Sequence, residues 1–153
     1  MTTLIEDNEL DSELQELYSI GRLWVTDLEL LAQDLTFLQK YLDKVLIQAI
    51  KQPHISNRDC TLMAEYLVRV GMLDTLRIEL KESISNYMHI IEALIDKTTL
   101  SFPLSLVETQ SLLEREINSL LRSYVSLKRD VLGKELLVPG ADSAIRQQVY
   151  NHF

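Results

Sequence analysis

The chain contains little of what interrupts or cross-links regular structure. Its 153 residues include four glycines, three prolines and one cysteine, Cys60. Scarce glycine and proline leave long stretches in which a helix can continue without a breaker. One cysteine cannot form an intramolecular disulfide, and the acidic first residues lack the basic and apolar regions of a signal peptide. These features predict a cytoplasmic protein.

Basic charge and long apolar runs are scarce as well. The chain has 15 Lys and Arg against 23 Asp and Glu, a net charge of −8. This excess disfavours nucleic acid or an anionic membrane as a partner, since both attract clustered basic residues. No apolar run approaches the roughly 20 residues that span a bilayer. We therefore expect no nucleic-acid partner and no membrane partner.

Hydrophobic residues, at 46% of the chain, follow a regular period. From Leu14 to Ala49 they recur at alternating steps of three and four, interrupted only at Gly21. This spacing is typical of a long helix with one buried seam. Similar seams and their flanking breakers predict three long helices and one short one. Their approximate ranges are 11–51, 57–97, 105–133 and 142–152.

Short connections between long helices favour antiparallel neighbours. The predicted fold is therefore all-α, an antiparallel up-down-up bundle of three long helices in a single domain over residues 1–153. The short C-terminal helix, or the tail that contains it, is expected to pack on one end of the bundle. Aromatic side chains should form a buried layer in which Trp24 lies level with Tyr87.

One end of the first two helices is predicted to lack a third wall. At 1.5 Å per residue these helices are about 60 Å long, whereas the third is about 42 Å. Apolar side chains at that end need cover from the tail or from a second subunit. This candidate interaction surface comprises Leu42, Val45, Leu46, Ile50, Leu62, Met63 and Leu67.

Arg77 is the one charged residue on a seam position. Counting back from the first connection places it near Asp34 and Glu29 of the first helix. It is either a side chain whose charged head reaches water or half of an ion pair that fixes the register of the helices.

Two patterns raise catalytic alternatives. Arg146 and His152 have the spacing found in HEPN-type helical bundles, whose Arg…His motif this pair resembles, and that resemblance implies a ribonuclease. His89 is expected to face solvent, as does the histidine of phosphotransfer bundles, although no basic residue follows it. The sequence contains no Glu-x-x-His of the kind that binds metal in helical bundles. We expect neither a metal nor a cofactor.

The long seams, the incompletely walled end and the lack of convergent catalytic residues favour a non-catalytic function. The sequence predicts a scaffold or protein-interaction module that binds itself or another helical protein. The HEPN-like ribonuclease and the phosphotransfer bundle remain the alternatives.

Overall fold

The computed structural model describes residues 2–51, 57–96 and 103–133, and their side chains over 11–51, 58–96 and 103–133. These residues form three α-helices and contain no strand. The helices are α1 (Thr2–Lys51), α2 (Asn57–Asp96) and α3 (Leu104–Gly133). The all-α prediction is confirmed. The predicted helix at 142–152 and the tail around it lie outside the described residues.

The helix ends differ slightly from those predicted. α1 begins at Thr2, upstream of the predicted start at Asp11. No glycine or proline lies between these positions, so nothing in the sequence forces the helix to end there. α3 begins at Leu104. The backbone N–H of Leu106 donates to the carbonyl of Pro103 at 3.0 Å and thereby starts the first turn.

The chain divides into two compact units. Unit 1 comprises Met1–Glu29 and Ile78–Ser119, and unit 2 comprises Leu30–Arg77 and Leu120–Phe153. Each unit contains a segment of α1, a segment of α2 and a segment of α3. Each also has buried apolar side chains from all three helices, so each has a core of its own.

The core of unit 1 follows the three-and-four spacing of the sequence. Its buried side chains are Leu14, Leu17, Leu28, Leu80, Ile84, Tyr87, Ile91, Leu106, Leu113 and Ile117. Such positions share one face of a helix, and burying one large apolar side chain is worth about 1.5–3 kcal/mol.

Contacts between α1 and α2 in unit 1 follow a constant register. The Tyr18 hydroxyl donates to Glu92 Oε1 at 2.8 Å. Further along α1, Glu29 Oε1 lies 3.8 Å from Lys81 Nζ. Between these pairs, the rings of Trp24 and Tyr87 are 6.4 Å apart at their centroids and tilted by 35°. Trp24 therefore lies beside Tyr87 as predicted, but its own side chain is half-buried.

Unit 2 has a larger described core. Its buried side chains are Leu31, Leu35, Leu38, Tyr41, Leu42, Val45, Ala49, Met63, Tyr66, Val70, Leu73, Leu120, Tyr124, Leu127, Val131 and Leu132. Polar contacts join α2 to α3 at its edge. Arg69 pairs with Asp130 at 3.0 Å and lies over the Tyr66 ring, 5.8 Å from its centroid. The Tyr66 hydroxyl donates to the Asp130 carbonyl at 3.4 Å.

Candidate interaction surfaces

The first surface is the outward face of α3 in unit 1. The α3 side chains that enter the core of unit 1 are Leu106, Leu113 and Ile117, and on the opposite side large apolar residues face solvent. Leu104 is 72% exposed and Leu112 is 54% exposed. A helix in a closed bundle normally presents polar residues on that side, so this face has apolar character that the core of unit 1 does not use.

Two neighbouring rows make up this outward face. Leu104, Glu108, Leu112 and Glu116 succeed one another at steps of four, and all four are exposed. The second row consists of Val107, Ser111 and Arg115, which are also exposed. Residues four apart are neighbours on a helix surface, so each row is continuous. We call the seven residues of both rows the α3 outward face.

A shallow cleft lies on the α3 outward face. Its volume is about 370 Å³, and its described lining residues are Val107, Glu108, Ser111, Leu112 and Arg115. Apolar, hydroxyl, acidic and basic groups thus line the side of this cleft that α3 provides. Such a mixture suits recognition of a side chain from a partner, which needs apolar contact and a few polar anchors.

The two units carry opposite charge. By sequence, unit 1 has 15 acidic and 4 basic side chains, a net charge of −11. Unit 2 has 8 acidic and 11 basic side chains, a net charge of +3, and together they give the −8 of the chain. Unit 1 therefore produces a strong negative potential, which attracts basic partners and repels acidic ones.

A second apolar stripe lies on α2 in unit 2. Val68, Met72 and Leu76 follow at steps of four, and each is at least half exposed. Gly71 lies beside them with nothing within 4 Å of the position that a Cβ atom would take. The packing of unit 2 therefore gives no reason for a glycine at this point in the helix.

The interaction surface predicted at the end of the first two helices is largely buried within this chain. Leu42 and Val45 have no exposed area, and Met63 is 2% exposed. These three side chains belong to the core of unit 2 and offer no surface to a partner. Three others are half-buried: Leu46, Leu62 and Leu67. Ile50 alone among the seven is exposed.

The predicted register residues make other contacts. Arg77 Nε pairs with Asp74 Oδ1 at 2.8 Å within α2, and the Arg77 side chain is mostly buried. Glu29 pairs with Lys81 in unit 1. The carboxylate of Asp34 interacts electrostatically with Tyr124 and Lys128 of α3 in unit 2. Burial, and secondarily Asp34, raises the pKa of Tyr124. Register fixing by Arg77 stays a prediction.

His89 is exposed on α2 in unit 1, where the phosphotransfer alternative needs it. Its Nδ1 lies 3.4 Å from Glu92 Oε2, and Glu92 also accepts the hydrogen bond from Tyr18. That bond raises the pKa of the Tyr18 hydroxyl. An acidic neighbour disfavours approach of a phosphoryl group, which itself carries negative charge.

The ribonuclease pair and the metal-ligand inventory are the remaining features considered in the sequence. Arg146 and His152 lie outside them. Over the described side chains, no group of three or more His, Cys, Asp or Glu residues is placed to hold a metal ion. Over the described residues, no helix contains an apolar stretch that could span a membrane.

The cores of both units contain buried tyrosine hydroxyl groups. Within the described part of the chain, the hydroxyls of Tyr41 and Tyr87 have no hydrogen-bond partner. Burial raises the pKa of Tyr87 to about 12. An unpaired buried hydroxyl costs about 1–3 kcal/mol, so these groups reduce the stability that their rings provide.

Comparison of the chain with protein-family models, curated proteins and solved structures finds no match. Two features of the surface were not predicted, although the sequence contains a signal for each. The exposed row of α3 is visible as Leu104, Glu108, Leu112 and Glu116 at steps of four. The charge separation is visible as a run of eight acidic and one basic residue before Leu30.

Proposed function

We propose that this chain is a non-catalytic protein-interaction module that binds a helical partner or itself. The observation that carries this proposal is the α3 outward face, where Leu104, Val107 and Leu112 are exposed among charged side chains outside the core of unit 1. Single exposed apolar residues are ordinary, but groups of them rimmed by polar residues are typical of interaction sites.

The proposal includes a specific arrangement of the helices, an antiparallel up-down-up bundle in one domain. In unit 1 the contacted positions fall along α2 from Glu92 to Lys81 as they rise along α1 from Tyr18 to Glu29. The short stretch between Lys51 and Asn57 fits a reversal of direction. A short C-terminal helix that packs on one end, and a cytoplasmic location, complete the proposal.

The chemistry of the described side chains supports a function without catalysis. Catalytic sites usually bring a titratable group, its hydrogen-bonded orienter and a concave pocket together. In the described residues, the cleft on α3 contains one acid, one base and the Ser111 hydroxyl, with no histidine or second carboxylate to activate that hydroxyl. The same cleft is well suited to holding a side chain of a partner.

One experiment sets this proposal against the ribonuclease alternative. Full-length protein, wild type and His152→Ala, is incubated with a mixed RNA substrate, and its mass is measured by light scattering over a range of concentrations. We expect intact RNA with both proteins. A mass that rises with concentration would show self-association, whereas a constant monomer mass would exclude it and restrict the proposal to a different protein as the partner. RNA hydrolysis that disappears in His152→Ala would overturn the proposal.

A further inference from the structure

The row Leu104–Glu108–Leu112–Glu116 alternates apolar and acidic side chains along one line of α3. At 1.5 Å per residue the row is about 18 Å long. Leu104 and Leu112 are well exposed, and each is followed four residues later by an exposed glutamate. A partner that fills this row needs apolar side chains alternating with groups that pair with carboxylates.

The glutamates of this row lack counter-ions among the described residues. In the described part of the chain, neither Glu108 nor Glu116 forms an ion pair, whereas other acidic residues of unit 1, such as Glu29, do. The basic residue on the α3 outward face is Arg115, and Glu114 adds further negative charge beside it. The carboxylates of Glu108 and Glu116 are therefore available to a cation of a partner molecule.

We propose that the α3 outward face binds a basic amphipathic helix of another protein. Its apolar residues pack on Leu104, Val107 and Leu112, and its Lys or Arg side chains pair with Glu108 and Glu116. The cleft that Val107 and Leu112 help to line receives one of the apolar side chains. This inference rests on the proposed function and specifies its surface and its partner.

Charge identifies the partner as basic and as a different protein. Unit 1 has a net charge of −11, so a basic segment is attracted from a distance and gains further when its charges pair. A second copy of this chain carries −8 and is repelled as a whole. Self-association through this face therefore starts with an electrostatic disadvantage that a basic helix does not have.

The spacing of the row suits a helical partner segment. An amphipathic helix presents apolar residues at steps of three and four, with polar residues immediately beside them. Such a stripe can contact Leu104 and Leu112 while its neighbouring basic residues reach the glutamates between them.

A pair of synthetic peptides tests this proposal on the full-length protein. The first is a fluorescein-labelled amphipathic helix of leucine and lysine, about 18 residues long so that it exceeds the 18 Å row. The second has the same leucines and a glutamate in place of every lysine. Fluorescence anisotropy should show the lysine peptide binding at least about tenfold more tightly, with a dissociation constant that rises with added salt. Equal binding of both peptides, or none of the lysine peptide, would overturn the proposal.

Matched variants locate the binding. Leu112→Gln and Glu108→Lys should each weaken binding of the lysine peptide about tenfold, as expected for residues at the centre of an interface. The controls Leu23→Gln and Glu82→Lys change exposed residues of the same type in the same unit. They should leave the affinity within about twofold and all variants equally helical by circular dichroism.

The variants separate failure of this inference from failure of the proposed function. Equal weakening by the control and the α3 variants would mean a general attraction to the acidic unit and would overturn the assignment to this face. The proposed function would still hold if the protein self-associates or binds another protein without cleaving RNA. Cleavage dependent on His152 would instead overturn the proposed function itself.

Discussion

Gly21 of α1 lies so close to Met88 of α2 that a Cβ atom at position 21 would come within 2.8 Å of Met88 Cγ. The glycine thus occupies the one seam position of α1 that has no apolar side chain, because the methionine of the neighbouring helix fills that space. A glycine in a helix lowers stability by about 1 kcal/mol relative to alanine. The packing that the close approach of the two helices allows offsets this cost.

This contact predicts opposite effects of alanine at two glycines. Gly71→Ala should stabilise the protein by about 1 kcal/mol, since a Cβ atom there meets nothing within 4 Å. Gly21→Ala gains the same helix propensity but overpacks the core, which typically costs about 1–3 kcal/mol. Urea unfolding should therefore show Gly71→Ala as the more stable variant by at least about 1 kcal/mol. Equal midpoints would mean that Met88 moves aside freely.

A second prediction concerns alkaline stability. The pKa of Tyr87 is raised by burial from 10.0 to about 12, so the folded protein keeps the hydroxyl proton to a higher pH than the unfolded chain does. The contribution of protonated Tyr87 to the free energy of unfolding is therefore complete below pH 10. It is lost as pH rises from about 10 to about 12. Tyr87→Phe should lose less stability over this interval, as measured by urea unfolding at each pH. A decline as steep as that of the wild type would contradict the assignment to Tyr87.

A third prediction uses Trp24, the one tryptophan of the chain. Because its side chain is half-buried, Trp24→Ala should cost about 2 kcal/mol, below the 3–5 kcal/mol typical of a fully buried large side chain. Trp24→Phe should keep most of this free energy, since a phenyl ring can still lie beside Tyr87. Native tryptophan emission should fall between the buried and the solvent-exposed limits. Emission at the solvent-exposed limit would contradict this packing.

A fourth prediction addresses the register of the helices. Arg77 pairs with Asp74 on its own helix, and such a pair contributes only a few tenths of a kcal/mol. We expect Arg77→Met to keep cooperative unfolding and to change the stability by less than about 1 kcal/mol. Arg69→Met should cost about as much, since the Arg69–Asp130 pair between α2 and α3 is partly exposed and screened by solvent. Loss of cooperative unfolding in Arg77→Met alone would support a register role.

The elements of the fold were predictable, because the three-and-four spacing from Leu14 onward requires a helix with one buried face. The partner of Arg77 was not predictable in the same way. A long side chain on a seam can turn along its own helix to an acid three residues away or across to a neighbour, and sequence spacing does not distinguish the two.

The surface was less predictable than the core. Reasoning from helix lengths placed uncovered apolar residues near Leu42 and Val45, but the chain buries both. The length of α3 gave no information on which residues would cover them. The exposed row at Leu104 and Leu112 was obscured for a different reason. Its two leucines stand next to seam residues in the sequence but lie on the other side of the helix, so attention to the seam alone does not reveal them.

The central claim is that this chain functions by binding a protein through an exposed helix face. It is tested most directly by quantitative affinity capture in which each of four full-length forms of this chain serves as the bait. These are the wild type, Leu112→Gln with Glu108→Lys, the matched control Leu23→Gln with Glu82→Lys, and His152→Ala. The account predicts a protein captured by the wild type, the control and His152→Ala but lost from the α3 variant. Identical capture by all four, or a loss confined to His152→Ala, would contradict it.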